Sequence, residues 1–191
     1  MASRESQNAV HFDELYRDLI LDHYRNPRNR GTLEDAGIVV EGFNPSCGDE
    51  ITVALRLSSA ASNGSRGETS VGAVRFGGQG CSISQSSASM LTQEIAGRPV
   101  GEVRALSRAV QEMLTDEGFD VDSTDVGDLE ALSGVARFPV RVKCALLAWK
   151  VLDQALRELA GPSPNEEGPD PDGQEPTVED DSDIQTRTTS V

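Results

Sequence analysis

Residues 51–58 read ITVALRLS, in which every second residue from Ile51 to Leu57 is a large aliphatic side chain. A period of two places these aliphatic side chains on one face of a β-strand, so the pattern predicts a strand with one buried face. Shorter apolar segments at residues 38–40 and 71–76 predict two more strands. The small, polar, glycine-containing residues 60–67 predict a hairpin loop. Together these segments predict a small three-stranded antiparallel sheet.

The rest of the chain favours helices. Apolar spacing or end signals predict α-helices at about residues 12–25, 82–96, 103–114 and 139–160. Ser82 and Gln85 have the spacing of a capping box, so Ser82 is the predicted N-cap of the second helix. Strands followed by helices, without internal repeats, predict an α+β fold in a single domain.

Charge is distributed unevenly along the 191 residues, whose net charge is −15. Residues 161–191 hold nine acidic residues, one basic residue and five of the nine prolines. Such a segment buries too little apolar surface to fold, so we expect a disordered acidic tail that improves solubility. We also expect a flexible N-terminus at residues 1–11 and a folded domain at residues 12–160.

Composition also limits the classes of function and location. The overall acidity argues against nucleic-acid binding, which needs a basic surface. The sequence has neither an apolar run of about 18 residues nor the apolar stretch of a signal peptide at its start. The sequence therefore predicts no membrane association and a cytoplasmic location.

The chain has three cysteines, and each lies where a metal thiolate is plausible on chemical grounds. Cys47 is in the turn-like sequence NPSCGD, with Asp49 two residues further on. Cys81 ends a glycine-rich loop before a predicted helix, and Cys144 lies one turn inside another. Helix N-termini favour thiolates, and an odd number of widely spaced cysteines does not indicate a disulfide framework. Three thiolates and one carboxylate are a donor set that zinc accepts.

Each of these residues also has a simpler interpretation. Cys144, on a mostly apolar helix, could be a small buried hydrophobic residue. Asp49 could be an ordinary turn residue. Residues 77–80, GGQG, could bind phosphate, although the Gly-Lys-Ser/Thr of a P-loop does not follow. His23, next to a predicted helix end, could be a metal ligand but is better suited to an interface or capping role.

Five parts of the sequence jointly resemble the SufU branch of the U-type iron–sulfur cluster assembly proteins, which include IscU and the N-terminal domain of NifU. The resemblance covers roughly residues 12–160. The matching sequences are LYR at 15–17 with DHYRNPRN at 22–29, NPSCGD at 44–49, GQGCSIS at 78–84, SASM at 87–90 and KCA at 143–145.

The resemblance implies a three-stranded antiparallel sheet packed against helices, and a Zn²⁺ site. The implied ligands are Cys47, Asp49, Cys81 and Cys144. It also implies a sulfurtransferase that acts as a stoichiometric carrier. Such a protein accepts persulfide sulfur from a pyridoxal-phosphate-dependent cysteine desulfurase of the SufS type. It then passes the sulfur towards an assembly complex of the SufBCD type.

Within this framework, Cys47 is the predicted sulfur acceptor, because its loop is the most movable of the three cysteine anchors. We expect Cys47 to leave the metal when a ligand of the partner, by resemblance a histidine, replaces it. Arg141 and Lys143 are the residues expected to contact the partner or the persulfide.

Two departures from the scaffold proteins favour sulfur transfer over cluster building. Lys143 precedes the third cysteine, where scaffolds usually carry histidine, and an insertion is expected around residues 112–130. The alternative is a scaffold that assembles a [2Fe–2S] cluster, or holds iron, on the same four ligands. A third interpretation is a zinc-stabilised interaction domain without chemistry.

Overall fold

An antiparallel sheet of four strands and a set of helices packed against it make up the α+β fold that the sequence predicts. The computed structural model describes residues 16–59, 69–116, 118–119, 126–161 and 184–189. The strands are β1 (Ile38–Asn44), β2 (Asp49–Ser59), β3 (Thr69–Gln79) and β4 (Gln185–Thr189). The α-helices are α1 (16–25), α2 (Ser82–Ile95), α3 (Val100–Thr115) and α4 (Pro139–Ala160), and Gly127–Val135 is a 3-10 helix. No helix in the described part of the chain is long and apolar enough to cross a membrane.

The sheet has the strand order β3-β2-β1-β4, and β2, one of its two inner strands, has the buried face that its alternating sequence predicts. Ile51, Val53 and Leu55 are completely buried. In the β1–β2 pair the register runs from Ile38 opposite Leu55 to Asn44 opposite Asp49. The β1–β2 connection therefore turns between two directly opposed residues, and this turn carries Cys47.

The prediction of three strands is wrong by one, because β4 pairs antiparallel with β1. This strand lies within residues 161–191, which the sequence predicts to be disordered. Its sequence, QTRTT, has no apolar residue to signal a buried face, and it is held mainly by backbone pairing at the sheet edge. Ile184 packs partly against the core, and the Thr188 hydroxyl lies 2.5 Å from the Glu158 carboxylate. The predictions for residues 1–11, 60–67 and 162–183 lie outside the described residues.

Helix α4 packs across the buried face of the sheet, and this packing determines where the N-terminal end of the helix lies. A Cβ atom at Gly42 would lie 2.2 Å from Cγ2 of Val151, so only glycine allows the helix to approach β1 this closely. Nearer the start of the strand, a Cβ at Gly37 would lie 3.5 Å from Cδ2 of Leu159. The helix therefore runs antiparallel to β1, which brings its N-terminal turns, including Cys144, towards the Asn44 end of the strand.

Helix α2 is joined to α4 by buried hydroxyl groups. Ser87 donates a hydrogen bond of 2.7 Å to the carbonyl of Ala145 and accepts one of 3.1 Å from the Trp149 indole. The N-cap of α2 is Cys81 rather than the predicted Ser82, and it makes no side-chain cap hydrogen bond. The helix that follows Cys81 is thus held against the helix that carries Cys144.

The segment after α1 fastens the loop between β3 and α2. The Arg30 guanidinium donates to the Gln85 side-chain carbonyl (3.0 Å) and to the backbone carbonyl of Gly78 (2.8 Å). The His23 ring is buried and lies 2.8 Å from the Ser89 hydroxyl, which also accepts the Arg28 backbone N–H. His23 therefore has a structural role in α1 packing and does not join the cysteines.

Candidate metal centre

The turn between β1 and β2 is organised by a single residue, Asn44. Its backbone carbonyl accepts the N–H groups of Cys47 (3.3 Å) and Gly48 (2.8 Å). Its side-chain Oδ1 accepts the N–H of Ser46 at 3.0 Å. Gly48 has a φ of +73°, a conformation that glycine adopts without strain. The bend brings the Cys47 sulfur and an Asp49 oxygen close together, as their two-residue spacing suggests.

Three of the four predicted ligands form one cluster. The sulfurs of Cys47 and Cys144 and a carboxylate oxygen of Asp49 all lie within 4.8 Å of one another, close enough for all three to hold one metal ion. The two sulfurs are 3.5 Å apart. Asp49 and Cys144 are buried, at 3% and 4% exposure, whereas Cys47 is exposed. The cluster therefore has two interior donors and one donor at the surface.

Cys81 lies next to this cluster, but its sulfur is not among the ligand atoms that lie within 4.8 Å of one another. Its backbone N–H donates to Oδ1 of Asp49 at 3.0 Å, and its exposed sulfur lies 3.8 Å from the Ser84 hydroxyl. A Cβ at Gly80 would lie 2.7 Å from Oδ1 of Asp49 and 2.6 Å from Oγ of Ser84. Glycine at position 80 thus allows the loop that carries Cys81 to lie directly against the Asp49 carboxylate.

The second carboxylate oxygen of Asp49 supports a metal at this place. Oδ2 is buried, and no described residue gives it a hydrogen bond. Buried carboxylate oxygens normally have a donor or a cation as partner. Sulfur and carboxylate ligands are a donor set that zinc accepts. The residues therefore fit a metal ion, with Oδ1 held by Cys81 and Oδ2 available for coordination.

The pKa of the Asp49 carboxyl and the pKa values of the two cluster thiols are shifted in opposite directions. Burial by itself would raise the pKa of Asp49, but hydrogen bonds from the Cys81 N–H, Ser84 and the thiols lower it below its ordinary value. Removal from water raises the pKa of Cys47 and, much more strongly, that of Cys144, which Cys47 and the nearby negative charges raise further. Without a cation the cluster thus favours an ionised Asp49 and neutral thiols.

Arg141 and Lys143 lie on α4 close to Cys144 in sequence, but they line different surface clefts. Arg141 is exposed, and its guanidinium lies 4.9 Å from the centre of the Phe138 ring, beside a cleft that α1 also lines. Lys143 lines a cleft with Leu114 and Thr115 of α3. Contact of these residues with a partner or a persulfide remains a prediction.

Sequence reasoning missed three side chains that shape the centre: Asn44, Ser84 and Gln85. Asn44 and Ser84 belong to motifs that carry the family resemblance but had no assigned role, and Gln85 was considered only as part of a capping box. Asn44 and Gln85 are buried, and the side-chain nitrogen of each has no hydrogen-bond partner among the described residues. The only indication in the sequence is that Asn44 lies three residues before Cys47 and Gln85 four residues after Cys81.

The family of the chain follows from comparison with known proteins. The model of the NifU-like N-terminal domain matches residues 15–161. The chain belongs to this family. The match includes the three cysteines and Asp49 and ends before the segment that contains β4.

The relatives of this NifU-like chain include a protein named as a sulfurtransferase and proteins named as cluster assembly scaffolds. The zinc-dependent sulfurtransferase SufU of Bacillus subtilis (strain 168) is 43% identical over 152 residues, which span 80% of this chain and 96% of the relative. The iron–sulfur cluster assembly scaffold protein IscU of Thermotoga maritima is 36% identical over 151 residues, spanning 79% and 99%.

Solved structures agree with the fold. A protein assigned as an iron–sulfur cluster assembly scaffold for the SUF system of Fervidobacterium islandicum AW-1 is 31% identical, with a TM-score of 0.60 over 72% of this chain and 93% of its own. The N-terminal part of a NifU-like protein from Brucella abortus matches with a TM-score of 0.65 over 79% and 98%. At 21% identity, this second likeness concerns the fold alone.

Proposed function

We propose that this NifU-like protein is a zinc-dependent sulfur carrier that accepts persulfide sulfur from a cysteine desulfurase and delivers it to iron–sulfur cluster assembly. The observation that carries the proposal is the cluster of Cys47, Asp49 and Cys144, in which an exposed thiol lies 3.5 Å from a buried one. Similarity to the zinc-dependent sulfurtransferase of B. subtilis supports the same activity.

The proposed ligands are Cys47, Asp49, Cys81 and Cys144. A zinc ion bound there would hold the thiols deprotonated. Three of the donors lie within 4.8 Å of one another, and the loop of Cys81 rests against Asp49, which places the fourth proposed ligand beside them. Asp49 lies at the start of a paired strand and Cys144 within a long helix, so these two residues form the fixed part of the site.

Cys47 is the proposed acceptor, because it is exposed and lies in a short turn. Its thiolate attacks the outer sulfur of the desulfurase persulfide. A sulfur–sulfur bond forms on Cys47, the bond between the two desulfurase sulfurs breaks, and the desulfurase cysteine leaves as a thiolate. The reaction is an exchange between disulfide-like bonds and needs no external oxidant or reductant.

The start of α4 gives a protein partner an apolar place to dock. Phe138 is 50% exposed and Val140 is 70% exposed, and the Val140 carbonyl lies 3.7 Å from the Cys144 sulfur. A pyridoxal-phosphate-dependent desulfurase of the SufS type that covers these residues would also cover Cys47. Delivery to an assembly complex of the SufBCD type and a cytoplasmic location complete the proposal.

Labelled sulfur tests the acceptor. The protein is incubated with a SufS-type desulfurase and ³⁵S-cysteine, and the modified cysteine is located by peptide mass spectrometry without reduction. We expect label on Cys47 and increased alanine production, and neither effect with Cys47→Ala. Label on Cys81 or Cys144 alone would contradict the assignment. Unchanged alanine production with the wild-type protein would favour the zinc-stabilised interaction domain.

A [2Fe–2S] scaffold is the second candidate, because several relatives are named as scaffolds. Purification without oxygen followed by metal analysis separates the two. A colourless protein with one zinc per chain supports sulfur transfer. A brown protein that holds iron and sulfide and donates them to an apo-ferredoxin supports the scaffold.

A further inference from the structure

The centre contains a buried hydrogen-bond donor that the proposed function does not yet use. Asn44 is 0% exposed, and its side-chain Nδ2 has no hydrogen-bond partner among the described residues. Buried N–H groups in native proteins almost always have an acceptor. An amide nitrogen can only donate, so its partner must be a lone pair or an anion.

The position of Asn44 in the fold shows which acceptors it faces. Asn44 lies on the face of β1 that packs against α4, two residues beyond Gly42, which touches Leu147 and Val151. Because α4 runs antiparallel to β1, the next step along the strand faces the turn of the helix before Leu147. Cys144 lies on that turn.

The orientation of the amide is set by the turn. Oδ1 accepts the Ser46 N–H at 3.0 Å, and exchange of the amide oxygen and nitrogen would place two donors against each other. Nδ2 is therefore the atom left for the interior. The acceptors gathered at this end of the sheet are the sulfurs of Cys47 and Cys144 and the Asp49 carboxylate.

Asn44 does not pair with Asp49, although the two residues are directly opposite in the strand register. Nδ2 of Asn44 and Oδ2 of Asp49 are both buried, and neither has a hydrogen-bond partner in the part of the chain that the structure describes. A mutual hydrogen bond would satisfy both atoms. Nδ2 bonds neither the Asp49 carboxylate nor a cysteine sulfur in the structure, so it is a buried donor without an acceptor among the described residues, next to three groups that could accept.

We propose that the Asn44 side-chain amide, which bonds neither thiol in the structure, donates an N–H···S hydrogen bond to the sulfur of Cys47 or Cys144 when that sulfur becomes anionic. The proposal rests on the proposed function and adds a residue to it. Asn44 also holds the N–H groups of Ser46, Cys47 and Gly48, so donor and acceptor thiol belong to the same turn. The amide therefore moves with Cys47 when that cysteine accepts sulfur, and can stabilise first the attacking thiolate and then the persulfide anion. A donor fixed in advance at a developing charge is worth more than one that must reorient.

Two substitutions remove the amide N–H donor and keep an oxygen acceptor for the turn. Asn44→Ser leaves a hydroxyl that can accept the Ser46 N–H, and Asn44→Asp leaves an oxygen of the same shape in the same place. In each protein the metal site is loaded with cobalt(II), and its thiolate-to-cobalt charge-transfer band is recorded. Loss of N–H···S bonds raises the energy of the sulfur lone pairs, so we expect a red shift of this band in both variants. We also expect the rate of Cys47 persulfidation to fall by about tenfold to a hundredfold, the usual effect of losing a hydrogen bond to a charged group.

Asn29→Ser is the matched control, because Asn29 makes amide hydrogen bonds far from the cysteines, to Thr92 and Arg75. Its φ of +56° makes serine unfavourable there, so the control should lower the melting temperature and leave the cobalt band and the persulfidation rate unchanged. Wild-type bands and rates in both Asn44 variants would overturn the inference. Failure of the proposed function is a different result, namely a wild-type protein that never acquires sulfur, and the cobalt band would still report on the donor.

Discussion

Replacing Asp49 by asparagine separates coordination by the carboxylate from its structural role. The substitution keeps Oδ1, which accepts the Cys81 N–H at 3.0 Å. It changes only the second oxygen, Oδ2, which is buried and has no partner among the described residues. The protein should therefore keep its fold and lose one zinc ligand.

The size of the effect can be worked out from the metal-binding equilibrium. Groups that merely support a ligand change metal affinity by about 10- to 100-fold, so the loss of a direct ligand should weaken zinc binding by at least about 100-fold. This corresponds to about 2.7 kcal/mol. Since zinc binds the folded chain, the same amount disappears from the zinc-dependent free energy of unfolding. For a chain of this size, the rise in melting temperature on adding zinc should shrink by roughly 5–11 °C.

Thermal unfolding followed by circular dichroism, with excess zinc and with a chelator, measures this difference. Hydrogen bonds hold the pKa of Asp49 low, so the ionised group stabilises the fold above its unfolded pKa, and Asp49→Asn loses that contribution with or without zinc. The comparison therefore uses the zinc-dependent increment and not the absolute melting temperature. Glu50→Gln makes the same chemical change at an exposed neighbour and should retain the full increment. An Asp49→Asn protein with the wild-type increment would refute carboxylate coordination.

Three further predictions concern the scaffold of the site. Gly42→Ala should destabilise the protein by about 1–3 kcal/mol, because the new methyl group would overlap Val151, and Val151→Ala in the same chain should recover part of the loss in chemical denaturation. Removal of residues 184–191 exposes the backbone groups of β1 along the sheet edge, so sedimentation should detect more self-association than in the full chain; an unchanged sedimentation profile would show that β4 does not protect the edge. Burial lowers the pKa of His23, so its contribution to stability is complete above its unfolded pKa of about 6.5 and is lost as the pH falls through the lower folded value. His23→Gln should flatten this part of the pH dependence of unfolding, and an unchanged slope would count against it.

The parts of the fold that the sequence predicts are those in which burial leaves a periodic signal. The alternation of residues 51–57 identifies β2, and the apolar positions after Pro139 identify α4, because both elements face the core. The strand β4 has no such signal, because all but one of its five residues are exposed and its pairing depends on backbone groups that every sequence possesses. The predicted N-cap of α2 is wrong by one residue, because Cys81 and not Ser82 has the extended backbone that precedes the helix.

How well the sequence predicts the candidate site depends on how far apart the site residues lie along the chain. Cys47 and Asp49 are two residues apart, so a bend at Gly48 is enough to bring them together, and local sequence indicates this. Cys144 reaches them only because α4 packs antiparallel to β1 over Gly42, which no local pattern specifies. Prediction that the Asn44 amide nitrogen has no partner among the described residues would also require knowing which of its side-chain atoms bonds within the turn.

The architecture also supports Cys47 as the sulfur that leaves the cluster in the proposed function. Asp49 is fixed by strand pairing and by the Cys81 N–H, and Cys144 is 4% exposed on a helix whose approach to the sheet is limited by Gly42. To move Cys144 away, the whole helix would have to separate from the core. Cys47 is exposed, and Asn44 accepts the N–H groups that hold its turn. Displacement of Cys47 therefore disturbs only a few hydrogen bonds and leaves two donors in place, so the same fold can hold a metal ion and present a thiol to a partner.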